Sequence, residues 1–424
     1  MRREASFPFF YGWIIVAVGV VTGTLVYGVR YSFSIFFPEI LDEFGWSRGS
    51  TSLMMSLNLL IYGLVAPVAG TLGSRWKPRI LMPAGVCLLA AALIGCSLSQ
   101  RLWHFYLFFG VLVPAGSALC AWPIISPALM NWFADRRGLV MGVGNTGGSL
   151  CFVYGLLAQY LILYSGWRFA YVALAAILIA VLLPLHYFLF HHRPEIKGLK
   201  AYGSENRPSA ESPEAEDYVD WTLPQMFRTP HLWLLVLCHF LYWGIAASLV
   251  LAHQVKYVQD AGYSAVFGVT VFALFGVAMF LGQSSGGISD RIGREETMVL
   301  CSAAALAGLF ALIAVRDDSR TWLLYLYALI FGYGSGLYTA IISAGAADLF
   351  HGKHFGTASG MLLTGMGIGG AVGPWLGGYL YDISGSYTVA FMLCMAAILL
   401  ACACFCIAAP RHAKRLRARR LGIS

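Results

Sequence analysis

Apolar runs long enough to cross a bilayer recur from one end of this chain to the other, beginning with the stretch that opens at Phe7. About twenty apolar residues cross a hydrocarbon core of about 30 Å as a helix, and in lipid only helices and closed barrels satisfy their own backbone hydrogen bonds. Composition agrees: 59% of the 424 residues are hydrophobic and 11% are charged, where a soluble domain carries about 25% charged residues. The runs predict spans over 10–37, 51–73, 80–98, 102–130, 139–164 and 169–190, then 231–256, 266–288, 297–315, 321–347, 357–380 and 387–408. The expected fold is an all-α integral membrane protein with twelve transmembrane helices. The first run is too long for a cleaved signal peptide, and no small-residue cleavage site follows it.

Charge orients the spans. With both termini in the cytoplasm, 21 basic residues fall in inside segments and five (Arg48, Arg101, Arg168, Arg316, Arg320) outside, leaving Arg30 and Lys256. That is the positive-inside pattern. The net charge of +8 therefore reflects topology and not nucleic-acid binding, and the basic tail RHAKRLRARR fits anionic lipid. All ten cysteines lie within apolar spans, where they read as small packing residues, and no Cys/His spacing implies a metal or a cofactor. Residues 193–229, rich in Glu, Ser, Pro and Asp, read as a mostly disordered cytoplasmic linker. The predicted organisation is a six-helix bundle over 1–192, the linker, a second bundle over 230–410 and a basic tail over 411–424.

The two bundles are repeats. GTLGSRWKPR at 70–79 returns as GGISDRIGR at 286–294, offset by 216 residues. NWFADRRGLVMGVGNTGGS at 131–149 is echoed by DLFHGKHFGTASGMLLTGMG at 348–367, with Gly138 and Gly356 offset by 218. SGWRFAYVAL at 165–174 recurs as SGSYTVAFML at 384–393, offset by 219. Two parallel six-helix repeats form the architecture of major facilitator transporters, in which substrate sits near the midplane between the halves.

GGISDRIGR resembles the loop motif of that superfamily. The resemblance implies a cytoplasmic latch carried by Gly286, Asp290, Arg291, Gly293 and Arg294; the first-half copy is degraded at Ser74 and Lys77. YSFSIFFPEILDEFGWSR, WFADRRGLVMG, RPEIKGLKAYG and FGTASGMLLTGMGIGGAVGPWLGGYLYDISGSY together resemble the monocarboxylate transporters and the related oxalate/formate antiporters, over nearly the whole chain. This implies secondary transport of small organic anions, often with protons. The family's usual Gly-Arg step of the eighth helix reads Gly282-Gln283 here, FGVAMFLGQ has no aspartate, and GMLLTGMGIGG has no lysine. The lysine of the animal transporters falls beside Arg30, at Tyr31.

That leaves Arg30, eight residues before Pro38, near the middle of the first span. A charge at mid-helix costs about 2.5–3.5 kcal/mol on insertion scales, so it faces a cavity or a partner. Tyr27, Arg30, Tyr31 and Ser34 form one polar stripe, and no Asp or Glu lies at midplane depth in any span. An anionic substrate is the natural partner for the guanidinium. Asn58, Tyr62, Asn145, Gln283, Tyr333 and Tyr338 are neutral polar groups in apolar spans, positioned either to orient a substrate or to bridge helices. His253, towards the outer end of the seventh span, is the candidate for proton coupling, because histidine alone titrates near neutrality when unperturbed.

The expected function is alternating-access transport of a small organic anion of the lactate/pyruvate class across a bacterial inner membrane, by proton symport and with the monomer as the functional unit. Exchange or uniport is the alternative that the missing acid favours. A membrane-embedded enzyme would need a nucleophile–base or metal cluster at midplane, and none is visible in the sequence. A sensor would need a signalling domain, for which 193–229 is too short.

Overall fold

Ten segments are long and apolar enough to cross a membrane among the residues that the computed structural model describes, 10–133, 137–203, 222–350 and 355–408. Arg2, Arg3, Arg136, Lys353, linker residues 204–221 and the basic tail lie outside the described residues. The segments comprise α1 (Gly12–Phe44), α2 (starting at Arg48), α3 (Pro78–Ser97), α4 (Leu102–Trp132), the 51-residue stretch Leu139–Leu189, α7 (Pro230–Asp260), α8 (Ala265–Ser284), α9 (Arg294–Ile313), α10 (ending at Phe350) and α12 (Thr388–Ala408). A straight helix of 51 residues would run about 77 Å. Instead the backbone breaks at Ser165 and at Gly166, whose φ of 81° suits glycine, which makes two passages, α5 and α6. The thirty-residue helix α11 (Phe355–Ser384), packed along α2, completes twelve.

The ends of these helices are defined by local chemistry. Gly45 adopts the left-handed conformation (φ 64°) that stops α1, and the Ser47 and Ser264 side chains cap α2 and α8 by accepting from Ser50 N and Phe267 N. The first passage runs past its expected end at 37 to Phe44, so that Glu39 lies within the helix and not beyond it. Pro38 removes one N–H, and a packed membrane helix tolerates that loss.

Two clusters identify the ends of the bundle. At the proximal end Tyr11 donates to Leu189 O (2.9 Å), and Trp132 Nε1 donates to His191 O (2.6 Å). At the distal end Trp167 donates to Glu43 and Arg168 pairs with it at 2.6 Å. The early part of the linker differs from the expected disordered segment. Tyr202 N donates to Trp132 O (2.9 Å), and the Tyr202 ring joins Phe10, Phe133 and, through Phe10, Trp132. Aromatic burial there orders 193–203 against the proximal face.

The first six passages meet the last six along two seams. On one, α2 lies against α11 with Gly63 facing Gly367 and Leu59 facing Gly370. On the other, α5 lies against α8 with Ser149 and Phe152 facing Gly276. Small residues bring the backbones close where side-chain bulk would separate them.

Candidate substrate site

Arg30 lies on α1 with 2% of its surface exposed. Its Nε donates to Asn58 Oδ1 (2.8 Å), and Asn58 Nδ2 donates to Phe109 O (2.8 Å). The guanidinium carbon sits 3.9 Å from the centroid of the Tyr62 ring and 6.0 Å from that of Tyr27. The two tyrosine hydroxyls hydrogen-bond each other at 2.9 Å. Arg30 Nη2 is buried with no hydrogen-bond partner. A buried N–H left unmade costs about 1–3 kcal/mol, and more on a charged group.

The arrangement divides the candidates by what they touch. Asn58, Tyr62 and Tyr27 surround Arg30, and Asn58 orients it, since both ends of its amide are engaged. Tyr31 packs on Phe152 (5.1 Å between centroids), and Ser34 is buried with its hydroxyl unpartnered. Gln283 Oε1 accepts from Ser149 Oγ (2.8 Å), which ties α8 to α5 across the seam. Tyr338 is buried between Tyr242, stacked at 3.8 Å, and His239, whose Nδ1 lies 3.2 Å from the hydroxyl. Tyr333 and Asn145 are partly buried.

His253 is fully buried. Its Nε2 lies 2.8 Å from Pro374 O, which only accepts, so Nε2 carries the hydrogen. In the neutral ring Nδ1 then accepts from the Tyr387 hydroxyl at 3.1 Å. That hydroxyl accepts in turn from Arg48 Nη1 (3.0 Å), and Arg48 is ion-paired with Asp260. Lys256 bridges Asp260 (3.3 Å) and Asp42 (3.8 Å). Asp382 caps α2 from the other half, accepting from Arg48 N (3.0 Å) and Gly49 N (2.7 Å). Together these groups close the distal end between the halves. Sequence reasoning missed this gate because Asp42, Arg48, Asp260 and Asp382 look like ordinary charges at helix ends.

At the proximal end Arg294 pairs with Asp290 (2.7 Å) and Asp348 (2.9 Å), all in the second half. Arg291, expected to share the latch, is exposed, and Arg294 makes both pairs; Gly293 separates the short helix Ile288–Ile292 from α9 with φ 110°. Among the described residues no group of three His, Cys, Asp or Glu side chains is placed to hold a metal ion.

Residues 19–330 and 284–422 match the family model described as Major Facilitator Superfamily. The chain belongs to that superfamily. It is a multi-pass membrane transporter, not an enzyme. It is 27% identical to Monocarboxylate transporter 13 of Rattus norvegicus over 401 residues (92% of this chain, 87% of the relative). It is 26% identical to Monocarboxylate transporter 11 of Homo sapiens over 406 residues (90% and 80%). Two solved structures share the major facilitator fold. One is a bacterial homolog of the human lysosomal transporter Spinster, inward-facing and occupied (TM-score 0.70, 15% identity, 94% of this chain and 97% of that one). The other is a D-xylose-proton symporter (TM-score 0.70, 14% identity, 92% and 97%).

Proposed function

We propose that this transporter carries small organic anions of the monocarboxylate class by alternating access, coupled to protons, in a bacterial inner membrane with both termini in the cytoplasm. The observation that carries the reading is Arg30, a buried cation whose nearest polar partners are neutral and whose Nη2 is unpartnered. The names of the relatives support the substrate class. A carboxylate entering from the proximal side completes the hydrogen bonding of Arg30 and neutralises it. The chain works as a monomer, because the site and the gate are assembled from one polypeptide.

The gate supplies the coupling. A proton added to His253 Nδ1 makes it a donor, so the Tyr387 hydroxyl can no longer donate to it. Tyr387 then turns its own hydrogen elsewhere, which loosens its acceptance from Arg48. Arg48, Asp260, Asp382, Lys256 and Asp42 are the charged groups gathered around this relay. Protonation from the distal side therefore favours opening to that side.

Exchange or uniport is the second reading, favoured by the full engagement of His253 in neutral contacts. The test is uptake of labelled lactate and pyruvate into proteoliposomes, with and without an imposed pH gradient. Saturable uptake that the gradient accelerates is expected. Saturable uptake indifferent to the gradient overturns symport and leaves exchange or uniport. Uptake no greater than in protein-free vesicles overturns the substrate class.

A further inference from the structure

On the outer face of the first half, near the proximal end, α3 and α6 leave a groove of about 450 Å³ between them. Pro83, Cys87, Leu183, Pro184, Tyr187 and Phe188 line it. Leu81, Met82, Val86 and Leu182 of the same helices turn inward and are buried, so the groove lies on the lipid-facing side. Local backbone shapes it. Pro184 removes one N–H, and α6 widens into a π-helical turn over Leu185–Leu189. Within that turn His186 is buried, with Nε2 2.9 Å from Thr22 Oγ1 of α1. Tyr187 and Phe188 are left facing outward, 51% and 65% exposed. In a bilayer such a surface meets acyl chains.

The proximal rim of the groove is cationic. The Arg79 guanidinium carbon lies 4.3 Å from the centroid of the Tyr187 ring, within cation–π reach. Stacking on a ring engages the flat face of the guanidinium, and its N–H donors point outward from the edge. Arg79 and Lys77 are exposed, and among the described residues neither forms an ion pair. His191 stands within the field of the same cations: burial lowers its imidazole from the ordinary value, and the charges of Lys197 and Arg79 add to this. Pro83 and Cys87 follow Arg79 by one turn and two turns of α3, about 6 and 12 Å along the axis. Cations therefore stand at the mouth, and apolar surface continues from them into the span. Basic pockets between helices at a membrane interface hold anionic headgroups, and a cation near such a surface contributes about fivefold in affinity.

We propose that this groove is a binding site for an anionic glycerophospholipid, with one acyl chain lying between α3 and α6 and the phosphate accepting from Arg79. A zwitterionic lipid fills the same groove but brings no net negative charge to the rim.

The test is photolabelling of the full chain in phosphatidylcholine vesicles that carry a trace of phosphatidylglycerol with a diazirine on its acyl chain. Mass spectrometry of the digested chain gives labelling at 83–87 and 183–188 as a ratio to labelling at the exposed Leu399 and Leu400 of α12. The ratio is taken within one sample, so partial loss of folded material does not mimic an effect. It is expected to exceed, by about fivefold or more, the ratio given by phosphatidylcholine bearing the same photoactive chain. Arg79→Gln is expected to bring it down to the phosphatidylcholine level, and Arg79→Lys, which keeps the charge, to retain most of it. Cys87→Trp, which fills the groove, is expected to lower labelling at 183–188 for both lipids. Equal ratios for the two lipids, or an Arg79→Gln ratio as high as wild type, overturn the anionic site. Labelling at 183–188 that Cys87→Trp leaves unchanged overturns the placing of the chain in the groove.

Discussion

Arg30 carries the account at the scale of single residues. A lone cation at mid-span was legible in the sequence because charge there is costly, and the polar types around it were legible as a stripe. The role of Asn58 was not, because one asparagine in an apolar run looks the same whether it binds a ligand or turns an arginine. Its carbonyl fixes the Nε edge of Arg30, while Nη2 has no hydrogen-bond partner. Asn58→Ala should therefore weaken substrate affinity by about tenfold, the worth of one charge-assisted hydrogen bond, with Arg30→Lys weaker still because the ammonium lacks the planar fork. Competition binding measures both; unchanged affinity in Asn58→Ala would mean that the amide does not position the guanidinium. His253→Gln keeps a donor and an acceptor but cannot take up a proton. The variant should transport down a substrate gradient while losing acceleration by an imposed pH gradient, as measured in proteoliposomes.

At the scale of elements, function lies in the contact between α2 and α11. The helices themselves were legible, since apolar runs are local, although the first runs to Phe44 and not to the expected 37. The gate was not, because its partners stand far apart in sequence: Arg48 and Asp260 by 212 residues, Arg48 and Asp382 by 334. Exposed ion pairs are worth about 0.2–1 kcal/mol each and a cap about 0.5–2 kcal/mol. No single contact locks the end, which suits a gate that must open. Asp260→Asn with Asp382→Asn should shift the balance between closed and open by about tenfold or more. Labelling of a Phe37→Cys reporter by an impermeant maleimide, in a background without the native cysteines, would rise accordingly. Gly378 gives the opposite access to the same contact. A Cβ there would lie 2.5 Å from Arg48 O, a backbone atom that has little room to give. Gly378→Val should hold the distal end open, with high labelling and little uptake; low labelling would show that the seam accommodates the side chain.

The whole molecule is two six-helix sets closed at the distal end by charges and joined below by glycine seams, with a buried cation, Arg30, in the first set. The repeat and the family were legible from spacing and motif. The contact of Phe37 with His253 was not, because it joins two helices from different halves. Nor did resemblance foretell that Gln283, standing where relatives use arginine, would join α8 to Ser149 of α5. The central claim is that the anion is held by Arg30 while the halves exchange access. Saturable uptake of a labelled monocarboxylate by proteoliposomes holding wild type or Arg30→Ala, matched for folded protein, tests it most directly. The account predicts that Arg30→Ala loses the saturable component; saturable uptake by Arg30→Ala at the wild-type rate and affinity would contradict it.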